Sequence, residues 1–343
     1  MWLNRLLGKK IAFSLIIKER LINGELELKK NGKSQMNALY SSMERKNIVF
    51  YRTSFVLLAV LVLYPLFGGF MMSFVLPDAS VEGTVPWLDR KVLSEIRAVQ
   101  AIGQIVLICL PALFLTGFIT GEKRLLSKQN LAFLGIGRRG SMQGVLLAIT
   151  GVLLLQPFVY ALMEATGYLL PYLGDFGRDL LENQKQLEHY LIFLAGADSA
   201  SEFLVVLLVI AVIPAICEEI FFRGYIQKNY EEALTPFGGI ALSGFVFGLF
   251  HLSPANLVPL TVMGWYLGYV YYKTRNLLVP VLVHFCNNFL ALGVLQLQRG
   301  GQEGAGVIES RDVIGSALFP VLLISLPLFV LVLRSFNRRL CRT

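Results

Sequence analysis

The sequence predicts an all-α polytopic membrane protein, a bundle of about eight transmembrane helices. Three observations carry that prediction. Hydrophobic residues fill 55% of the 343 positions, and the mean hydropathy is +0.62. Charged residues make up only 16%, where a soluble domain carries about 25%. Apolar runs close to the ~20 residues of one crossing recur through most of the chain. Length alone would suggest two soluble domains; the recurring runs favour one membrane domain.

The elements follow in order. Residues 1–50 are basic and mixed, and read as a cytoplasmic extension. Ile11 to Ile17 is apolar but too short to span. Charges recur between Lys9 and Lys33, which suits an interfacial amphipathic helix or a poorly ordered tail. No short charged region followed by one apolar core is present, so a cleavable signal peptide is not expected. Met36 and Met43 offer alternative starts. Residues 51–335 form the transmembrane domain, with spans expected near 54–76, 97–119, 141–164, 203–222, 238–252, 257–272, 277–297 and 313–333. The fifth and sixth are short, and would be tilted or shielded by neighbours. A long acidic loop is expected from Gly167 to Glu202, with His189 exposed in it. Residues 336–343 form a basic tail.

The formal net charge is +8, and its distribution is more informative than its sum, because Lys and Arg collect in cytoplasmic loops. Most of the 31 Lys and Arg residues fall on one side of the predicted topology. The other side holds Arg90, Lys91, Arg97, Arg178, Lys185, Arg299 and Arg311. An even number of spans then puts both termini in the cytoplasm. No basic stretch is interleaved with aromatics on a polar face, which excludes a nucleic-acid binder. The cysteines Cys109, Cys217, Cys286 and Cys341 form no CxxC pair or metal-type cluster, and read as small buried hydrophobes. Cys217 and Cys286 neighbour motif residues but lack the basic setting that activates a thiol.

Three short polar motifs lie inside apolar segments, where an ionisable side chain costs several kcal/mol unless it faces a cavity or a partner. The first is Glu218-Glu219-x-x-x-Arg223. Residues four apart share a helix face, so Glu219 and Arg223 can pair. Glu218 is turned by about 100° and is left for chemistry. The competing reading has both acids capping the cytoplasmic helix end and reaching water. The second motif is Phe247-x-x-x-His251, with Phe247 packing one turn below the imidazole. A histidine at a helix end is more often structural than a ligand. The third is His284-x-x-x-Asn288, again on one face, with interhelical hydrogen bonding as the alternative.

Together these residues suit water attack on an amide. Glu218 would serve as general base. His251 and His284, with Glu218 as third ligand, could bind zinc and leave a position for water. Alternatively the histidines and Asn288 would donate hydrogen bonds to the developing oxyanion without metal. The contiguous HExxH motif is absent, so a zinc site would have to be assembled from separate helices.

The three motifs, in this order in the second half of a polytopic chain, resemble the CPBP family of CAAX prenyl endopeptidases and bacterial Abi or bacteriocin-processing intramembrane proteases. The resemblance covers about residues 200–295. It implies a glutamate-dependent endopeptidase opening to the cytoplasm, in a bacterial plasma membrane, acting on a peptide or protein substrate. Carried over by position, Glu218 activates water, His251, His284 and Asn288 complete the site, and Glu219 and Arg223 support it. The family is labelled metalloprotease, and a metal-free mechanism has also been argued for it. Two rival functions remain: a non-enzymatic scaffold or immunity-like protein that uses the cluster for helix association, and a proton-coupled transporter, for which no internal repeat is found. One depth conflicts. His251 lies at the far end of the fifth span beside Ser253-Pro254, so that helix would be strongly tilted, or the bundle pinched inward by the 238–272 hairpin.

Overall fold

The computed structural model describes residues 30–75, 90–138, 140–303 and 310–340. Ten helices follow in order, with no strand among the described residues. They are α1 Lys30–Val75, α2 Leu93–Thr120, α3 Lys128–Leu134, α4 Met142–Leu169, α5 Asp175–Ala195, α6 Ala200–Ala233, α7 Pro236–Phe250, α8 Leu257–Thr274, α9 Leu278–Glu303 and α10 Ser310–Leu340. The chain divides into two units, Met1–Ile48 and Val49–Thr343, and the polar motifs lie in the second. Most of the expected amphipathic stretch from Lys9, and the last three residues of the basic tail, lie outside the described residues.

Six helices are long and apolar enough to cross a membrane: those in α1, α2, α4, α6, α9 and α10. The expected fifth and sixth spans take another form. α7 is apolar but has only 15 residues, and α8 has 18. At about 1.5 Å per residue, α7 reaches about 22 Å, short of a ~30 Å hydrocarbon core. The two form a tight helical hairpin. A Cβ on Gly264 would stand 2.6 Å from the Gly244 carbonyl oxygen and 2.8 Å from its Cα, so only glycine lets the two backbones approach this closely. Gly264→Val is expected to destabilise the protein by about 1–3 kcal/mol, read as a lower melting temperature in detergent. An unchanged melting temperature would contradict this crossing.

The Gly167–Glu202 stretch is not a loop. It contains α5, whose polar composition hides it from a hydropathy reading. His189 is exposed, but on this helix. Arg97 of α2 reaches the end of α5, where its guanidinium donates to the carbonyls of Leu194, at 3.0 and 3.1 Å, and Gly196. It also pairs with Glu202 at 3.0 Å. The helix C-terminus thus receives the cation that its unpaired carbonyls favour. α6 begins on a capping box. Glu202 N donates to Ser199 Oγ, and the Glu202 carboxylate accepts from Asp198 N.

α6 is the hub. Every residue from Ile220 to Gln227 is buried. Phe221, Phe222, Tyr225 and Ile226 pack into one core with Leu113, Leu134, Phe247, Leu267 and Val283. That segment is a π-helix, as are Leu207–Val212 in α6 and Gln104–Cys109 in α2. Such widened turns are rare and concentrate at functional sites. α6 also runs on to Ala233, well past the predicted end at residue 222, so Glu218 and Glu219 do not cap a helix end. Its last turns are held by Lys228, which donates to the Phe133 carbonyl, and by Glu231, which pairs with Arg275 at 2.5 Å.

Candidate active site

The length of α6 resolves the depth conflict. α6 and α7 are joined by Leu234 and Thr235, and Thr235 caps α7 by accepting from Gly238 N at 2.9 Å. Measured from this turn at about 1.5 Å per residue, Glu218 and His251 both lie about 22 Å deep. Ring contacts confirm the level: Phe222 meets Phe247 and Phe250 with centroids 5.3 and 5.4 Å apart. The short hairpin brings His251 level with Glu218.

The first motif forms a ladder. Arg223 donates to Glu219 Oε1 at 2.8 Å and to the Gly264 carbonyl at 3.1 Å. Its guanidinium stands 4.5 Å from the Phe247 ring centroid. One turn on, Gln227 donates to Glu231 and to the Gly268 carbonyl, at 2.8 and 2.9 Å. Residues four apart on α6 thus pin two glycine carbonyls of α8. Glu219 is 0% and Arg223 1% exposed, so this ion pair lies in the dry interior.

Glu219 has a second duty. Its Oε1 also accepts from His284 Nδ1 at 2.9 Å. A carboxylate can only accept here, so Nδ1 carries the proton and Nε2 faces the other way. It faces Glu218, whose Oε2 is 4.0 Å from His284 Nε2. That distance is too long for a direct hydrogen bond and suits a shared water. Glu218 Oε1 accepts from Gln104 Nε2 at 3.0 Å. Glu218 Oε2, Glu219 Oε2 and Gln104 Oε1 are buried without a protein partner. Buried polar atoms without a protein partner call for an explanation, and three of them meet at this place.

His251 sits at the end of α7, with Nδ1 2.8 Å from the Phe247 carbonyl, so Nε2 again points away. Phe247 packs on both histidines, its ring centroid 4.8 Å from His251 and 5.7 Å from His284. Phe247 is therefore more than filler: it touches Arg223 and both imidazoles. Asn288 lies one turn past His284 and is half-buried. Its Oδ1 accepts from Asn287 Nδ2 at 3.2 Å, and Asn287 accepts from Gln156 of α4 at 2.9 Å. Cys217 is buried, and Cys109 and Cys286 are half-buried.

The proposed zinc ligands fit only in part. Each histidine is oriented as metal-binding histidines are, with Nδ1–H held by an oxygen and Nε2 presented. The Phe247 ring packs on both imidazoles. Among the described residues, no three His, Cys, Asp or Glu side chains are grouped to hold a metal.

Spacing rules could not reveal Gln104, Gln156 or Gln227. Each is an amide in a largely apolar helix, and only Gln227 has a partner at helical spacing, Glu231. Residues 200–290 match a family described as type II CAAX prenyl endopeptidase Rce1-like. Over these residues the chain is similar to that family, in keeping with the CPBP resemblance of its motifs. A 93-residue stretch of the chain is 30% identical to a protein of Bacillus subtilis (strain 168) described as "Putative membrane peptidase YdiL". That alignment spans 27% of this chain and 37% of the relative. No solved structure matches. The matched segment holds all three motifs, while α1 to α5 lie before it.

Proposed function

We propose that this chain is a membrane-embedded endopeptidase in which Glu218 activates a water for attack on a peptide bond. The observation that carries the reading is the buried Glu218 carboxylate, held at one oxygen by Gln104 and turned at the other toward His284 Nε2, 4.0 Å away. A water bonded to both gives its proton to Glu218 as its oxygen attacks the carbonyl carbon. The tetrahedral oxyanion takes hydrogen bonds from donors such as the Asn288 amide. Glu218 then passes the proton to the leaving amine as the C–N bond breaks. Glu219 orients His284, as the carboxylate does in other catalytic triads. In this reading His251, with Nδ1 held by the Phe247 carbonyl, serves the substrate.

The family description makes a prenylated CaaX peptide the first substrate to try. We assign the site to the cytoplasmic side of a bacterial plasma membrane, with both termini cytoplasmic, on the distribution of Lys and Arg. Six long apolar helices, an even number, agree with that assignment.

The test uses purified chain in proteoliposomes and a quenched fluorescent peptide ending in a farnesylated CaaX sequence, beside its unprenylated form. Cleavage by the wild type and none by Glu218→Gln supports the reading. Equal cleavage by both, or none by the wild type, removes it. Zinc is tested on the same material by metal content and chelator dialysis. The donor placement predicts unchanged cleavage after dialysis; loss of one zinc per chain together with activity would reinstate the metal-assisted route. A scaffold role has one observation in its favour, since the Arg223 and Gln227 bonds to α8 do join helices. It predicts that Glu218→Gln keeps biological function.

A further inference from the structure

The assigned motifs all lie on α6, α7 and α9, within residues 200–290. The only protein hydrogen bond to Glu218 among the described residues comes from elsewhere. It is given by Gln104 of α2, which lies 114 positions away in sequence. Gln104 is 4% exposed and is the first residue of the π segment Gln104–Cys109. The widened turn at that point breaks the ordinary helix repeat and changes the direction in which Gln104 projects. A second side chain from outside the matched segment, Tyr64 of α1, lies against α2 beside Gln104, its ring 3.5 Å from where a Cβ on Gly103 would stand. Its ring packs on Phe250 with centroids 5.1 Å apart. A chain of contacts therefore runs from α1 through α2 to the reacting carboxylate on α6.

We propose that Gln104 is a positioning residue for Glu218, supplied by the part of the chain that the family segment does not include. This inference rests on the peptidase reading above. A carboxylate has two equivalent oxygens and a freely turning terminal torsion. The Gln104 N–H occupies Oε1 and fixes the plane of the group, so Oε2 is the oxygen that meets the water beside His284. Without this bond the carboxylate can turn, and a displacement of about 1 Å at a reacting atom can cost on the order of 100-fold in rate. Substrate binding does not depend on it, so the loss falls on kcat and not on KM. The π segment belongs to the same device, because it aims the amide at α6.

The test is Gln104→Met in the full-length protein in proteoliposomes, on the peptide that the wild type cleaves. Methionine keeps the length and volume of the side chain and lacks the N–H. Thr116→Val on the same helix is the control, since Thr116 is buried and bonds only its own helix at the Ala112 carbonyl. The expected result is a kcat lowered about 10- to 100-fold, with KM within about threefold and the melting temperature close to that of Thr116→Val. Gln104→Asn, which withdraws the donor by one methylene, is expected to fall between wild type and Gln104→Met, and carries the test where Gln104→Met does not accumulate in membranes. Full kcat in Gln104→Met with an inactive Glu218→Gln overturns this proposal and leaves the peptidase reading standing. Losses shared by kcat, KM and melting temperature assign Gln104 to packing, and also overturn it. Full activity in Glu218→Gln, or no cleavage by the wild type, fells the peptidase reading itself, and this inference with it.

Discussion

Glu218→Gln is expected to lower peptide cleavage by at least about 100-fold, in the range general-base catalysis contributes, while the melting temperature stays near wild type. The structure separates these outcomes. Glu218 is 5% exposed and makes no ion pair with Arg223, whose carboxylate partner is Glu219. A glutamine fills the same volume, and its carbonyl oxygen can still accept from Gln104 Nε2. What it lacks is a lone pair basic enough to take a proton from water. Assays of activity and thermal unfolding on one preparation decide the matter. A variant that is stable and fully active would leave the buried acid with no catalytic duty.

Arg223→Leu is expected to have the opposite signature, a loss of stability of about 3–5 kcal/mol from breaking a buried ion pair on one side. The change strands Glu219, 0% exposed, without its cation. It also removes the bond to the Gly264 carbonyl and the contact with the Phe247 ring. Replacing both partners, Glu219→Leu with Arg223→Leu, removes the stranded charge and is expected to recover part of the stability. Activity should not return with it, because His284 then loses the oxygen that orients it. Denaturation in detergent and peptide cleavage, measured on the two variants, separate support from chemistry. A single Arg223→Leu variant that melts within a degree or two of wild type would refute the buried-pair account.

Periodicity made some of this site legible and hid the rest. The Glu219–Arg223 pair follows from two residues four apart on one helix. The link from Glu219 to His284 does not, because it joins residues 65 positions apart on different helices. The depth of His251 is hidden for a local reason. The apolar run that predicts a span at 203–222 ends at Arg223 and Lys228, but the helix does not. Lys228 and Glu231 prove to be satisfied by Phe133, Gln227 and Arg275 within a helix that continues to Ala233. The bundle class was plain from hydropathy, but the difference between a span and a half-length hairpin was not. α7 is as apolar as its neighbours and only its length gives it away. α5 went unseen for the converse reason: its charged and polar residues mask a helix that docks through Ile192 and Leu194. Gln104 carried no pattern at all.

The π segment Ile220–Gln227 has a consequence for how this site tolerates insertions and deletions. A π turn holds an extra residue relative to the α-helix around it, so it acts as a phase joint between the two halves of α6. The half before it presents Glu218 and Glu219 to α2 and α9. The half after it presents Gln227 and Glu231 to α8 and Arg275. Deleting one residue inside the joint would let α6 relax to ordinary winding and rotate one half against the other by about 100°. Both halves would remain helical and apolar, with every motif residue still in the chain, yet the acids and the ladder could no longer face their partners together. In this protein the phase of one helix is as much a part of the site as the side chains it carries.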